Sequence, residues 1–305
     1  MPNRKITGLA FVALSAFGFG SMALSVHLTY NEGIDTRTVL GLRFSIAAGI
    51  ISISACLTRA AWPRNKALFL CVVMGVFYAA MAWFYFTALS EASSGTVALL
   101  LYTYPIFVAI TSWTMKFEAF SKKDLAIVSA ALMGLALILG GDLQGSPKGI
   151  VLSLMAAVSY ATYIIIGGRM KDHASALTRA SVILTTAAIV YFLACVAAEV
   201  RLPRNAESWF GIASLAVFGT AVAIYAFIAG LERLGPIHTS IVSTIEPAVT
   251  ISLGVLFMGE LLTQNMVVGG AILVSSSVVL AMSKTNDALP KSGDPVALTH
   301  ADKGL

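Results

Sequence analysis

The chain is written in long apolar runs separated by brief polar breaks. The runs cover residues 6–26, 38–57, 67–89, 94–115 and 125–141, then 149–168, 180–198, 209–231, 237–258 and 264–282. Most reach the roughly 20 residues that a helix needs to cross a bilayer. They are continuously apolar, whereas the strands of a membrane barrel alternate apolar and polar positions over about 10 residues. The pattern therefore predicts an all-α membrane protein with ten transmembrane helices. Arg4 and Lys5 before the first run resemble the start of a secretory signal, but the run is long enough to span, and it is read as the first helix. Residues 284–305 are polar, with Pro290, Gly293 and Pro295, and are expected to form a disordered cytoplasmic tail.

Composition excludes the other classes. Of 305 residues, 58% are apolar and 11% charged, against about 25% charged in water-soluble domains. No ordinary aqueous surface, disordered chain, collagen or coiled coil fits those figures. The net charge of +5 is not gathered into a patch that would suit nucleic acid. When the breaks are assigned alternately to the two sides of ten spans, fifteen of the 20 Lys and Arg fall on one side and four on the other, with Arg43 inside a span. That bias puts both termini in the cytoplasm. Cys56, Cys71 and Cys195 lie in apolar runs without CxxC or Cys/His spacing, so they read as small apolar fillers, and neither metal nor cofactor is expected.

An internal repeat divides the chain. Leu89, Pro105 and Glu118 recur at a constant offset of 142 as Leu231, Pro247 and Glu260. Tyr104-Pro105 then aligns with Glu246-Pro247, and Phe19-Gly20-Ser21 parallels Tyr160-Ala161-Thr162. The repeats are residues 1–142 and 143–283, each with five spans. Because five is odd, the second copy enters the membrane from the opposite side. Two inverted five-helix repeats are an architecture of secondary transporters, in which two packings related by a pseudo-two-fold axis open to opposite sides.

Particular segments carry a family resemblance. Ile245-Glu246-Pro247-Ala248, Leu256-Phe257-Met258-Gly259-Glu260 and Gly269-Gly270-Ala271 resemble the closing signature of EamA-type domains of the drug/metabolite transporter superfamily. The first half shows a blurred copy in Tyr104-Pro105, Glu118 and Gly134, and Leu42-Arg43-Phe44 is similar to the family's basic motif. Three positions depart from the pattern: Tyr104 replaces a Glu, Phe117 a Gly, and Phe19 the Trp of many members. The resemblance implies a ten-helix carrier of a bacterial inner membrane that exports amino acids or related metabolites through a cavity between its halves. It implies no nucleotide hydrolysis, and the chain carries no GxxxxGK[ST] loop.

Glu246 is the sharpest site candidate. It lies about nine residues into its span, near mid-bilayer at about 1.5 Å per residue. An ionised group there costs at least about 2.5–3.5 kcal/mol, so it needs a cavity or a partner. It either holds a substrate ammonium group or a coupling proton, or it is a structural Glu bonded to neighbouring helices. Arg43 either attracts a substrate carboxylate, snorkels outward, or pairs with a buried acid. Tyr78, Trp83, Tyr85, Tyr102, Tyr104, Tyr160, Tyr163 and Tyr225 cluster in four spans. Among them Tyr104, Tyr160 and Tyr78 are taken as cavity lining and the others as lining, packing or interfacial belt. Ser240 and Thr244 are expected as polar lining beside Glu246. Glu118 and Glu260 read as caps or gates at opposite faces, and His27 and His238 as interfacial.

The expectation is a secondary transporter, an exporter of a small organic metabolite such as an amino acid, working by alternating access. Proton coupling through Glu246, exchange and downhill flow all fit as energy sources. The alternatives are a multidrug or nucleotide-sugar-like carrier, or a non-transporting membrane partner. An intramembrane enzyme is not expected, because no Ser/His pair or paired Asp lies at membrane depth. The partners foreseen are the lipid bilayer, a small-molecule substrate and protons, with no nucleic acid, and the chain acting as a monomer or homodimer.

Overall fold

A computed structural model describes residues 2–29, 34–116, 121–140, 145–170, 172–196, 202–257, 259 and 261–282. Glu118, Glu260 and the tail 284–305 lie outside the described residues. The elements are α1 (Pro2–Gly20), α2 (Met22–Thr29), α3 (Thr36–Leu57), α4 (Lys66–Ala88), α5 (Ser94–Leu101), α6 (Tyr104–Thr114) and α7 (Lys122–Ile138) in the first half. The second half holds α8 (Pro147–Arg169), α9 (Ala176–Val196), α10 (Ala206–Ala216), α11 (Ala223–Leu234), α12 (Pro236–Val242), α13 (Glu246–Phe257) and α14 (Gln264–Met282). Over the described residues the apolar runs are helical and no strand forms.

Among the described residues seven helical stretches, not ten, are long and apolar enough to cross a membrane by length and composition. They are Thr36–Leu57, Lys66–Ala88, Ser94–Thr114, Pro147–Arg169, Ala176–Val196, Ala206–Leu234 and Pro236–Phe257. Of the three remaining runs, α1 opens with Arg4 and Lys5 and gives way at Ser21, α7 has 17 residues, and α14 extends over Gln264–Met282.

Polar residues in the breaks set where helices start. Asp35 caps α3 by accepting from the amides of Arg37 at 2.8 Å and Thr38 at 3.1 Å. Ser121 and Asp124 form a reciprocal capping box on α7, and Ser146 caps α8 with Pro147 just inside. These side chains satisfy amides that have no partner within the helix. Gly235, at φ +80°, separates α11 from α12, a conformation that favours glycine.

Four runs predicted as single spans are interrupted. α1 gives way to α2 at Ser21, whose hydroxyl donates to the Gly18 carbonyl at 2.8 Å. α5 and α6 are separated at Tyr102–Thr103, with Pro105 in the first turn of α6. α12 and α13 are joined by a 3₁₀ turn over Ser243–Ile245, with Pro247 behind Glu246. α10 and α11 are joined by π-helix over Val217–Val222. Proline removes a backbone donor and crowds the preceding turn, which accounts for two of the breaks.

The most extensive packings are α4 on α8, α3 on α9, α7 on α14, and α1 on α11. Shifting each helix by 142 residues carries the α4–α8 pair onto the α11–α1 pair and maps the other two pairs onto themselves. Small residues permit the close approaches. A Cβ at Gly134 would meet the Gly269 carbonyl oxygen at 2.8 Å, and one at Gly18 would meet the Phe218 carbonyl at 2.7 Å. Gly270 faces open space. The outer face is apolar, with Phe69, Trp113, Phe192, Phe210 and Leu256 exposed, and the interior holds Tyr104, Tyr163, Tyr191 and Arg43. A molecule in lipid has this arrangement, since its exterior meets hydrocarbon and its polar groups must find partners inside.

Candidate functional site

The two proline breaks meet at the centre. Tyr104 is the first residue of α6 and Glu246 the first of α13, and each stands directly before a proline. The Tyr104 hydroxyl donates to the Ser240 carbonyl on α12 at 3.1 Å. The second half of one broken helix is thereby tied to the first half of the other.

Around this junction runs a continuous aromatic cluster. The Tyr104 ring lies edge-on to Tyr160 at 4.7 Å, and Tyr160 stacks on Tyr163 at 5.8 Å. Tyr163 lies 5.4 Å from Tyr78, Tyr78 5.7 Å from Phe44, and Phe44 stacks on Tyr191 at 5.4 Å. Phe227 rests 5.9 Å from both Tyr160 and Tyr163. Glu246 is half-buried at one end of the cluster, while its neighbours Thr244 and Pro247 are buried. The Tyr102 hydroxyl faces its carboxylate, and Tyr85, Tyr104 and Tyr160 lie within its electrostatic reach.

Arg43 occupies the other end. It is 3% exposed, so it does not snorkel. Its Nε donates to the Thr220 hydroxyl at 2.6 Å, one terminal nitrogen reaches the Gly219 carbonyl at 3.4 Å, and the guanidinium lies 5.1 Å from the Phe44 ring centre. Thr220 in turn donates to the Leu215 carbonyl, five residues back, at 2.8 Å. The π-helix supplies both partners, because its wider winding leaves the Gly219 carbonyl and the Thr220 hydroxyl available to a side chain. The charge of Arg43 reaches the Glu246 carboxylate along the cluster; ion pairs among the described residues include Lys148–Glu91, Arg179–Asp172 and Arg179–Glu232.

Tyr78, Tyr104 and Tyr160 are therefore brought together beside Glu246, and Arg43 joins them through Phe44. Ser240 takes part through its carbonyl, since its hydroxyl donates to Ile237 at 2.8 Å. The Thr244 hydroxyl likewise donates to its own helix, to Ile241 at 2.6 Å. Trp83 points outward, and Tyr225 packs edge-on against Phe11 away from the cluster. Tyr191, Phe227 and Thr220 escape a reading of the residues alone, as they look like ordinary span residues, and Phe44 is noted there only as a neighbour of Arg43. One signal for Thr220 exists: it stands 142 residues after Tyr78, and both border Arg43. Among the described residues no three His, Cys, Asp or Glu gather as a metal site.

Two open grooves, of about 550 and 620 Å³, lie elsewhere, between α13 and α14 and between α7 and α14. Their walls are almost wholly apolar, as expected of lipid-facing creases.

The chain matches the model of the EamA-like transporter family over residues 6–140 and again over 147–282. It is 26% identical over 276 residues to the uncharacterized transporter YcbK of Bacillus subtilis, covering 86% of this chain and 88% of that one. It is 24% identical over 269 residues to the uncharacterized inner membrane transporter YedA of Escherichia coli, covering 85% and 87%. Protein PecM of Dickeya dadantii is 24% identical over 252 residues, covering 81% and 83%. One crystal structure superposes with a TM-score of 0.78 at 18% identity, over 89% of this chain and 95% of the other, which establishes a shared fold. With tandem matches across nearly its whole length and a helical membrane fold in common, the chain belongs to the EamA-like transporter family of the drug/metabolite transporter superfamily.

Proposed function

We propose that this transporter is a secondary carrier that moves a small organic metabolite, an amino acid or a relative of one, outward across a bacterial inner membrane by alternating access. In this reading ten helices cross the bilayer as two inverted repeats, residues 1–142 and 143–283, with both termini and the tail 284–305 in the cytoplasm. Lipid and substrate are its partners, and Glu246, Tyr104, Tyr160 and Tyr78 receive the cargo. Ser240 and Thr244 back them through the turn before Glu246, and Arg43 fastens the π-helix beside them.

The observation that carries the proposal is the pair of broken helices. Tyr104-Pro105 and Glu246-Pro247, one repeat apart, each open the second half of a helix, and both border one aromatic cluster. Discontinuous helices at corresponding positions of two repeats mark the binding site in carriers of inverted architecture. The symmetric packing pairs support the two-fold relation.

Counterflow into proteoliposomes with a panel of labelled metabolites tests the reading. Saturable exchange of one compound class is expected, with Glu246→Gln reaching the membrane yet losing most of it. Full exchange by the variant removes Glu246 from the mechanism. Tags on the two ends of the chain test the topology, and labels found on opposite sides rule out an even number of spans.

A further inference from the structure

Arg179, in the first turn of α9, is a buried cation that the site around Glu246 does not use. Its side chain is 4% exposed and pairs with two acids. One is Asp172, in the segment before α9; the other is Glu232, in the last turn of α11, at 2.8 Å. Glu232 is bound in turn to α1, since Arg4 donates to its carbonyl at 3.1 Å. The segment between α3 and α4 joins at Ala61, whose carbonyl accepts from the Thr178 hydroxyl at 2.6 Å and the Ser175 amide at 3.0 Å. Four parts of the chain thus meet at the end that the charge bias assigns to the cytoplasm.

The opposite end is held differently. Glu91 takes its cation from Lys148, whose side chain is 67% exposed, and an ion pair open to water contributes little. Shifting by 142 residues carries the α9–α11 contact onto α3 and α4, which share no comparable packing. The interior shows the same asymmetry. On the helix stretches leading from the aromatic cluster toward Arg179, Val12, Met74, Ile164, Leu231 and Ile237 are each at most 2% exposed. On those leading the other way, Met81, Tyr85 and Leu99 keep accessible surface. The protein is shut at the Arg179 end and looser at the other.

We infer that Arg179 is the latch of the cytoplasmic entrance: its ion pairs hold α9 to α11 while that entrance is shut, and they part each time the carrier opens inward. The inference rests on the carrier reading and adds the residue that sets the balance between its two orientations. Inverted repeats offer two related packings, and the one that is occupied is decided by what differs between the copies. Here two ion pairs to a buried guanidinium stand against one exposed pair. Parting buried pairs is costly, so the resting carrier faces outward.

Cys71 supplies the reporter. It lies in the second turn of α4, is wholly buried, and stands within electrostatic reach of Arg179 and Glu232. With Cys56 and Cys195 replaced by Ser, its labelling by a charged, membrane-impermeant methanethiosulfonate is timed in inside-out and right-side-out vesicles. Arg179→Gln is expected to speed labelling roughly tenfold in the inside-out vesicles alone, and Arg179→Lys to fall between. Loss of a neighbouring cation by itself slows a thiol's reaction, so a faster rate reports access.

A loosened fold would also expose Cys71. A second reporter, Tyr85→Cys with Cys71 replaced by Ala, separates the two cases. Its labelling from the outer side is expected to slow in Arg179→Gln as the inward-open form gains population, whereas unfolding speeds both reporters. Should Arg179→Gln fail to reach the membrane, Glu232→Gln, which removes one of the two pairs, is read in the same way. Unchanged labelling of Cys71, or faster labelling of both reporters, overturns the latch. The carrier reading fails on a different observation, in which the unaltered protein exchanges no solute in counterflow.

Discussion

The Tyr104 hydroxyl hydrogen-bonds the Ser240 carbonyl at 3.1 Å, joining two helix fragments 136 residues apart in the chain. This buried bond is a direct tie between the two interrupted helices. Tyr104→Phe keeps the ring against Tyr160 and removes only the donor. A buried carbonyl left without its partner costs about 1–3 kcal/mol, so the variant is expected to melt earlier in detergent. Transport should slow as well, because the fragments no longer move together. An unchanged melting temperature would show that the bond carries no weight.

Thr220 deserves the same test from the other side of the cluster. Thr220→Val preserves shape but takes away the acceptor for Arg43 Nε. The loss falls on a buried charged group, for which about 1.5–3 kcal/mol is expected. Arg43→Lys should not substitute, since an ammonium cannot reproduce the flat fork that reaches Thr220 and Gly219 while lying on Phe44. Thermal unfolding of both variants checks this, and native stability in Thr220→Val refutes the assigned role.

How far these features are legible in the chain depends on the distance over which they are encoded. Helix positions are local, so apolar runs and capping residues such as Asp35, Ser121 and Ser146 mark them within a few residues. Pro105 and Pro247 mark two of the four interruptions. The break at Ser21 and the π-helix carry no such residue, because they arise from packing. Glu246 is conspicuous as a charge in an apolar run, whereas its meeting with Tyr102 and with the field of Arg43 is a tertiary fact. Arg43 is equally conspicuous, yet its anchor lies 177 residues away in a stretch that reads as plain helix. The tyrosines could be named, but which of them meet depends on the pairing of helices across the repeats.

The crossing of α7 and α14 offers a paired comparison. A side chain at Gly269 collides with the backbone of Gly134 and Ile138, while one at the adjacent Gly270 meets nothing within 4 Å. Gly269→Val is expected to destabilise by about 1–3 kcal/mol through overpacking, and Gly270→Val to stay near neutral. Melting temperatures of the two variants in detergent give the answer. Equal effects would contradict the close contact.

At the junction of the repeats, acid provides a further test. Glu91 accepts from Lys148 at 2.6 Å and from the Ser146 hydroxyl at 3.1 Å, and the amide of Ser146 donates to the Glu91 carbonyl at 2.9 Å. The Lys148 hydrogen bond, then that from Ser146, then the charge of Lys148 hold the Glu91 carboxyl below its usual value. A carboxylate whose pKa is lower folded than unfolded adds stability that is complete above the unfolded value. That contribution fades as the pH falls through the folded one. The melting temperature of the unaltered protein should therefore exceed that of Glu91→Gln at neutral pH, and the gap should close in acid. Lys148→Gln, with the strongest partner removed, is expected to shift the closing of that gap toward higher pH. A gap that stays constant from neutral to acid would show that the charge of Glu91 contributes nothing to holding α4 against α8.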